Sequence, residues 1–144
     1  MNITIRKCMI SDAANIRALS KAALGFDYPE DKFEENIRRL MSTRSNIIYV
    51  AENNNRFMGY AHVCDFDIMY GPRLKVLRAI AVVEEYRRYG VARKLMEAAE
   101  AWAKKTGAEG MQIYGGSERL AANAFYKACG YDFVKPESKF KKDF

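Results

Sequence analysis

The chain has 144 residues, enough for one domain with a real core, and its 49% hydrophobic and 29% charged residues describe a globular protein rather than a disordered or fibrous one. No apolar run reaches membrane-spanning length, and the alternating start Met1-Asn2-Ile3-Thr4-Ile5-Arg6 lacks the apolar stretch of a secretory signal, so a membrane partner is not expected. The formal charge of +6 points to an anionic partner, either nucleic acid or a phosphate-rich cofactor, and the three scattered cysteines (Cys8, Cys64 and Cys129) fit reduced thiols near the core of a cytoplasmic protein better than a disulfide framework or a metal site.

Ile3 and Ile5 alternate with Thr4 and Arg6 and predict a first strand. Ser11 suits the N-cap of a helix through Leu24, with Ile16, Leu19 and Ala23 on one face and Gly25 as its stop. Pro29 suits the first turn of a second helix that buries Phe33, Ile37, Leu40 and Met41. Ile47 to Val50 reads as a strand, Asn53-Asn54-Asn55 as a turn, and Phe57 to Cys64 as the returning strand of a hairpin. After Gly71-Pro72 comes a strand from Leu74 to Val83. A helix from Val91 to Thr106 carries Ala92, Leu95, Met96, Ala99, Trp102 and Ala103 on one face and Gly107 at its end. Met111 to Tyr114 predicts a fifth strand, and Gly115-Gly116-Ser117 opens a helix with Ala121, Ala124, Phe125 and Ala128 inward. Tyr131 to Val134 and Ser138 to Phe144 read as a sixth and a seventh strand. The order β-α-α-β-β-β-α-β-α-β-β implies a single α/β domain, residues 1–144, with a mixed sheet and helices on both faces.

The turn Arg87-Arg88-Tyr89-Gly90-Val91-Ala92 joins a strand to the strongest helix. Helix N-termini present unpaired amides and a partial positive charge, Gly90 lets an anion approach the backbone, Ala92 is small, and Arg87, Arg88 and Arg93 add charge. A phosphate site follows, although a basic loop that needs one glycine has the same pattern.

Arg87-x-x-Gly90-x-Ala92 resembles the (Gln/Arg)-x-x-Gly-x-(Gly/Ala) pyrophosphate loop of the GNAT superfamily of N-acetyltransferases, and Leu77-Arg78-Ala79-Ile80-Ala81-Val82 looks like its fourth strand. Ala122-Asn123-Ala124-Phe125-Tyr126-Lys127-Ala128-Cys129-Gly130-Tyr131 resembles its Ala-x-x-(Phe/Leu)-Tyr-x-x-x-Gly-(Phe/Tyr) segment. The resemblance implies splayed fourth and fifth strands with the pantetheine arm of acetyl-coenzyme A in the gap. Ile80, Ala81 and Val82 would face that arm, and Arg87, Arg88, Gly90, Val91, Ala92 and Arg93 would hold the phosphates. Arg119 stands where the family usually has a cofactor-holding Asn, and Tyr126 matches the tyrosine that protonates the departing thiolate. A core tyrosine has the same local pattern.

Some family members use a glutamate on the fourth strand as general base, but Val76 occupies that place here. The base therefore stays open among His62, Asp65, Asp67, Glu118 and water. His62 is the only histidine and has a suitable ordinary pKa of about 6.5, but a lone strand histidine also serves as a packing residue. Between the first two helices, Phe26, Asp27, Tyr28, Glu30, Asp31, Glu34 and Glu35 would suit a cationic amine, or simply complement a helix dipole. The acceptor is then a small-molecule or peptide amine, with a homodimer left open. A non-catalytic acyl-coenzyme A sensor is the alternative. A nucleic-acid-binding module fits less well, because the sequence has no nucleic-acid motif and its arginine cluster sits in the phosphate loop.

Overall fold

The computed structural model describes residues 1–115 and 119–144, so the expected helix opening at Gly116 and Ser117, and the candidate base Glu118, lie outside the described residues. These residues fall into two units, Met1–Tyr114 and Gly115–Phe144.

The first unit contains β1 (Thr4–Lys7), α1 (Ala13–Leu24), α2 (Glu30–Met41), β2 (Asn46–Asn53), β3 (Arg56–Phe66), β4 (Leu74–Val82), α3 (Val91–Lys105) and β5 (Gly110–Ile113). The sheet runs β1-β2-β3-β4-β5, antiparallel throughout except for the parallel β4–β5 pair. The β2–β3 hairpin closes through Asn54 and Asn55 at φ of 50° and 66°, a left-handed pair that asparagine tolerates.

On one face, Ile16 and Leu19 of α1 and Ile37 of α2 pack on Ile48, Val50, Tyr60 and Ala81. Ser20 and Tyr60, both buried there, share a 2.6 Å hydroxyl hydrogen bond. On the other face, α3 buries Leu95, Met96, Ala99 and Ala103 of the predicted apolar face together with Val91, while Ala92 and Trp102 of that face are half-buried. Met41, expected inside, is 43% exposed at the last residue of α2, where the helix ends.

The start of α1 differs from the sequence expectation. A 3-10 turn at Ile10–Asp12 precedes it, Asp12 rather than Ser11 stands at the N-cap, and the Asp12 carboxylate reaches back to that turn rather than forward into α1. Asp12 accepts the Met9 amide at 2.7 Å and both terminal nitrogens of Arg6 at 2.8 Å, while Arg6 also reaches Glu52 at 3.1 Å. Burial works to raise the Asp12 pKa, but the bonds from Arg6 and Met9 outweigh it and hold the carboxyl below its ordinary value. A carboxylate accepts several donors at once, which a serine hydroxyl does less well.

The second unit contains α4 (Leu120–Ala128). Its half-buried residues include Ala122, Phe125, Tyr126 and Cys129, whereas Ala121, Ala124 and Ala128 are exposed. The large rings decide which side is covered, and Phe125 and Tyr126 lie 6.0 Å apart between centroids. The two last expected strands do not form. Residues 131–144 make no ladder pairing among the described residues, and Phe133, Val134, Phe140 and Phe144 are exposed. Aromatic residues suit a strand, but a strand also needs a partner edge, and Pro136 lacks an amide to donate.

Gly59 lets β3 and β4 approach closely, since a Cβ there would sit 2.5 Å from the Ala81 carbonyl oxygen. Gly59→Ala should therefore lower stability by about 1–3 kcal/mol, measured by denaturant unfolding. An unchanged midpoint would show that β4 can move aside.

Candidate active site

β4 loses its neighbour halfway along. The register with β5 runs from Leu74↔Gly110 to Leu77↔Ile113 and stops. The Val83 amide donates to the Met58 carbonyl at 2.8 Å. Antiparallel partners alternate, so Ala81 and Ala79 turn their backbone groups towards Tyr60 and His62 on β3. Ile80 and Val82 then turn theirs outward, to the side that β5 has left. That half-strand is a ready template for an extended amide-bearing ligand.

The edge leads into the basic turn. A 3-10 turn at Glu84–Tyr86 is followed by Arg88 at φ 70° and Gly90 at φ 84°. Arg88 holds a left-handed backbone that non-glycine residues seldom adopt. Nothing lies within 4 Å of where a Gly90 Cβ would be, so the backbone there is open to a ligand. The Lys94 amide donates to the Gly90 carbonyl at 3.1 Å, so the hydrogen bonding of α3 starts from the glycine and the helix N-terminus opens at the turn. Arg87 folds back to donate to the Val82 carbonyl at 3.1 Å, tying turn to strand. The structure thus gathers Ile80, Val82, Arg87, Arg88 and Gly90 along one edge, with Val91, Ala92 and Arg93 opening α3. Ala81, by contrast, pairs inward and packs under α1 and α2.

The candidate bases separate. Asp65 bonds the ammonium of Lys75 at 2.5 Å, and Lys75 in turn lies 4.5 Å over the Trp102 ring of α3. Asp65 is therefore committed to an ion pair on the α3 face. Asp67 is exposed beyond the end of β3. His62 lies opposite Ile48, on the α1/α2 face. Its Nε2 is 2.9 Å from Asn46 Oδ1. Asn46 Nδ2 donates to Thr43 Oγ1, which itself donates to the Leu40 carbonyl, so Oδ1 is left to accept from His62. The proton is thereby assigned to Nε2, leaving the lone pair on Nδ1. Burial, and secondarily the charge of Arg78, push the His62 pKa down to about 4.

A feature the sequence reading missed lies beside it. β4 carries one extra residue, because His62 faces Ala79 while Val63 faces Leu77, which makes Arg78 a bulge. The signal was present as broken alternation, with Val76 and Leu77 both buried in succession.

In the second unit, Tyr126 and Arg119 belong to one short helix, Arg119 at its N-cap. Burial raises the Tyr126 pKa and the charge of Arg119 partly opposes this, so the phenol stays protonated through the neutral range. Among the described residues there is no cluster able to hold a metal ion, and no helix is long and apolar enough to cross a membrane.

A half-open strand leading into a glycine turn at a helix N-terminus is an arrangement suited to an extended ligand that carries phosphate. Residues 13–131 match the acetyltransferase (GNAT) family model, and the chain belongs to that family. N-alpha-acetyltransferase 30 of Schizosaccharomyces pombe is 34% identical over 84 residues, 58% of this chain and 55% of the relative, so the match spans about half of that protein. The uncharacterized N-acetyltransferase YhfO of Bacillus subtilis is 25% identical over 134 residues, 90% of each chain. The solved structure of AAC(6')-Iy in complex with the bisubstrate analog CoA-S-monomethyl-acetylneamine aligns over 100% of both chains with a TM-score of 0.88 at 19% identity, a likeness of fold.

The buried histidine predicts a pH signature. With a native pKa of about 4 and an ordinary value of 6.5, the unfolded chain binds the extra proton between these limits. Stability should be full above about pH 6.5 and fall by at most roughly 3 kcal/mol towards pH 4. The single histidine makes the ring signals unambiguous by NMR, and His62→Gln should remove this part of the slope. A ring titrating near 6.5 would contradict the buried neutral assignment.

Proposed function

We propose that the chain forms one cytoplasmic catalytic domain that transfers an acetyl group from acetyl-coenzyme A to a primary amine of a small molecule or peptide. The observation that carries this reading is the outward-facing backbone at Ile80 and Val82, leading into the open Gly90 turn. The two amides of a pantetheine arm match two outward backbone positions, and the basic turn matches a pyrophosphate. Acetyl-coenzyme A supplies an activated acyl carbon and a thiol leaving group. The residues of the chain bind, align and move protons.

Tyr126 is the proposed acid. Its raised pKa keeps a proton available for a departing thiolate, whose conjugate acid has a pKa of about 8.5. Arg119 is proposed to help hold the cofactor. On the acceptor side, Val76 is fully buried and offers no carboxylate, and Asp65 is tied to Lys75. His62 keeps a lone pair on Nδ1, but its low pKa makes it a weak base, so water and the amine's own deprotonation carry much of that step. The buried Val76 also favours a second reading, a sensor that binds acyl-coenzyme A without turnover. An amine panel assayed for thiol release separates the two: amine-dependent release supports transfer, and tight binding without release supports the sensor.

Gly90→Asp would place a carboxylate and a strained φ where the phosphates touch backbone, and calorimetry should show loss of coenzyme A binding. Unchanged affinity would remove the turn from the site. Tyr126→Phe should reduce kcat by about 10²–10⁴-fold with cofactor Kd and Tm nearly unchanged. A matched loss of Tm and activity would make the tyrosine structural instead.

A further inference from the structure

The charge at the β4 bulge has no role in the reaction as derived. Arg78 is exposed, two residues before the outward-facing Ile80. Its Nε donates to Cys64 Sγ at 3.3 Å, which places it on the same face as Cys64 and His62, the face covered by α1 and α2. Among the described residues no carboxylate lies within ion-pair distance of Arg78, whose Nε bonds a thiol instead. Its field is felt at His62. Of the acids around the start of α2, Asp27 lies 3.9 Å from Arg17 and 3.7 Å from Lys21, and Glu34 lies 3.2 Å from Arg38, which offsets part of their charge.

Position adds to charge. From Val82 to Arg78 the strand advances about 13 Å, so with phosphates at the Gly90 end, the reacting end of an extended arm reaches the bulge. A lone guanidinium there repels a plain ammonium and attracts an anion. We propose that Arg78 binds a carboxylate carried by the amine acceptor, which makes an amino-acid-like or acidic amine the preferred substrate class. The inference rests on the reading of the β4 edge as the acyl-donor site.

The test has a binding arm and a kinetic arm, each run on the full chain and on Arg78→Gln, whose exposed site should leave Tm unchanged. In the binding arm, the ring signals of His62 are followed by NMR during titration with N-acetylglycine or with N-acetylglycinamide. The carboxylate should shift them, the amide should not, and Arg78→Gln should abolish the shift. No carboxylate-dependent shift in the wild type, or one that persists in the variant, overturns the proposal. In the kinetic arm, Arg78→Gln should lower kcat/KM by about 10–100-fold for carboxylate-bearing amines and leave their amides unchanged. Arg78→Lys should restore part of the loss. Equal effects on acids and amides overturn the acceptor assignment. So does a succinyl-coenzyme A donor whose advantage over acetyl-coenzyme A depends on Arg78 when the acceptor shows no preference. If no amine releases thiol, the transfer reading fails while the binding arm still decides Arg78.

Discussion

A strand that loses its neighbour on one side must leave backbone donors and acceptors pointing outward, and β4 does this at its C-terminal half. Parallel pairing with β5 ends at Leu77, while antiparallel pairing with β3 continues to Val82. Half of the strand is therefore held rigidly on one side and open on the other. The bulge at Arg78 falls where the two regimes meet, and the missing Cβ of Gly59 lets β3 support the open half closely. The bond from Arg87 to the Val82 carbonyl then fixes the basic turn to that edge, and the buried apolar face of α3 anchors the helix whose amides open there. Each element thus constrains the next, from sheet register to turn to helix end.

Charge is distributed on the same plan. Charges removed from water are compensated: Asp12 by Arg6, and Lys75, 7% exposed, by Asp65 and the face of Trp102. Leaving either member of such pairs alone would strand a desolvated charge. His62 follows the other permitted route and stays neutral, its Nε2–H satisfied by Asn46. Against this background the Arg78 guanidinium stands out, because among the described residues it rests on a thiol and pairs with no carboxylate.

Much of this was legible in the sequence because it depends on local periodicity. The apolar spacing of α3, the Asn-Asn hairpin and the stop at Gly25 each follow from one residue type meeting one local geometry. The place of Gly90 was legible because it had to stand between a strand and an amphipathic helix, as it does. Features that depend on partners distant in sequence were not. Asp12 is fixed only because Arg6 and the Met9 amide converge on it, Asp65 is lost as a base only because Lys75 lies across the strand, and the bulge exists only relative to β3. Tyr131–Val134 and Ser138–Phe144 carry aromatic residues that suit strands, yet composition says nothing of whether an edge is there to receive them. Tyr126 was legible as a motif residue, and its protonated state adds the chemistry that a motif cannot carry.

The central claim is that the outer edge of β4 pairs with an extended acyl donor as if with another strand. Amide hydrogen exchange at residues 79–82, with and without acetyl-coenzyme A, tests it directly. The account predicts that Ala79 and Ala81 are protected in both states, while Ile80 and Val82 exchange readily in the free protein and gain protection of about tenfold or more when acetyl-coenzyme A is added. Saturating acetyl-coenzyme A that leaves the exchange of Ile80 and Val82 unchanged would contradict it.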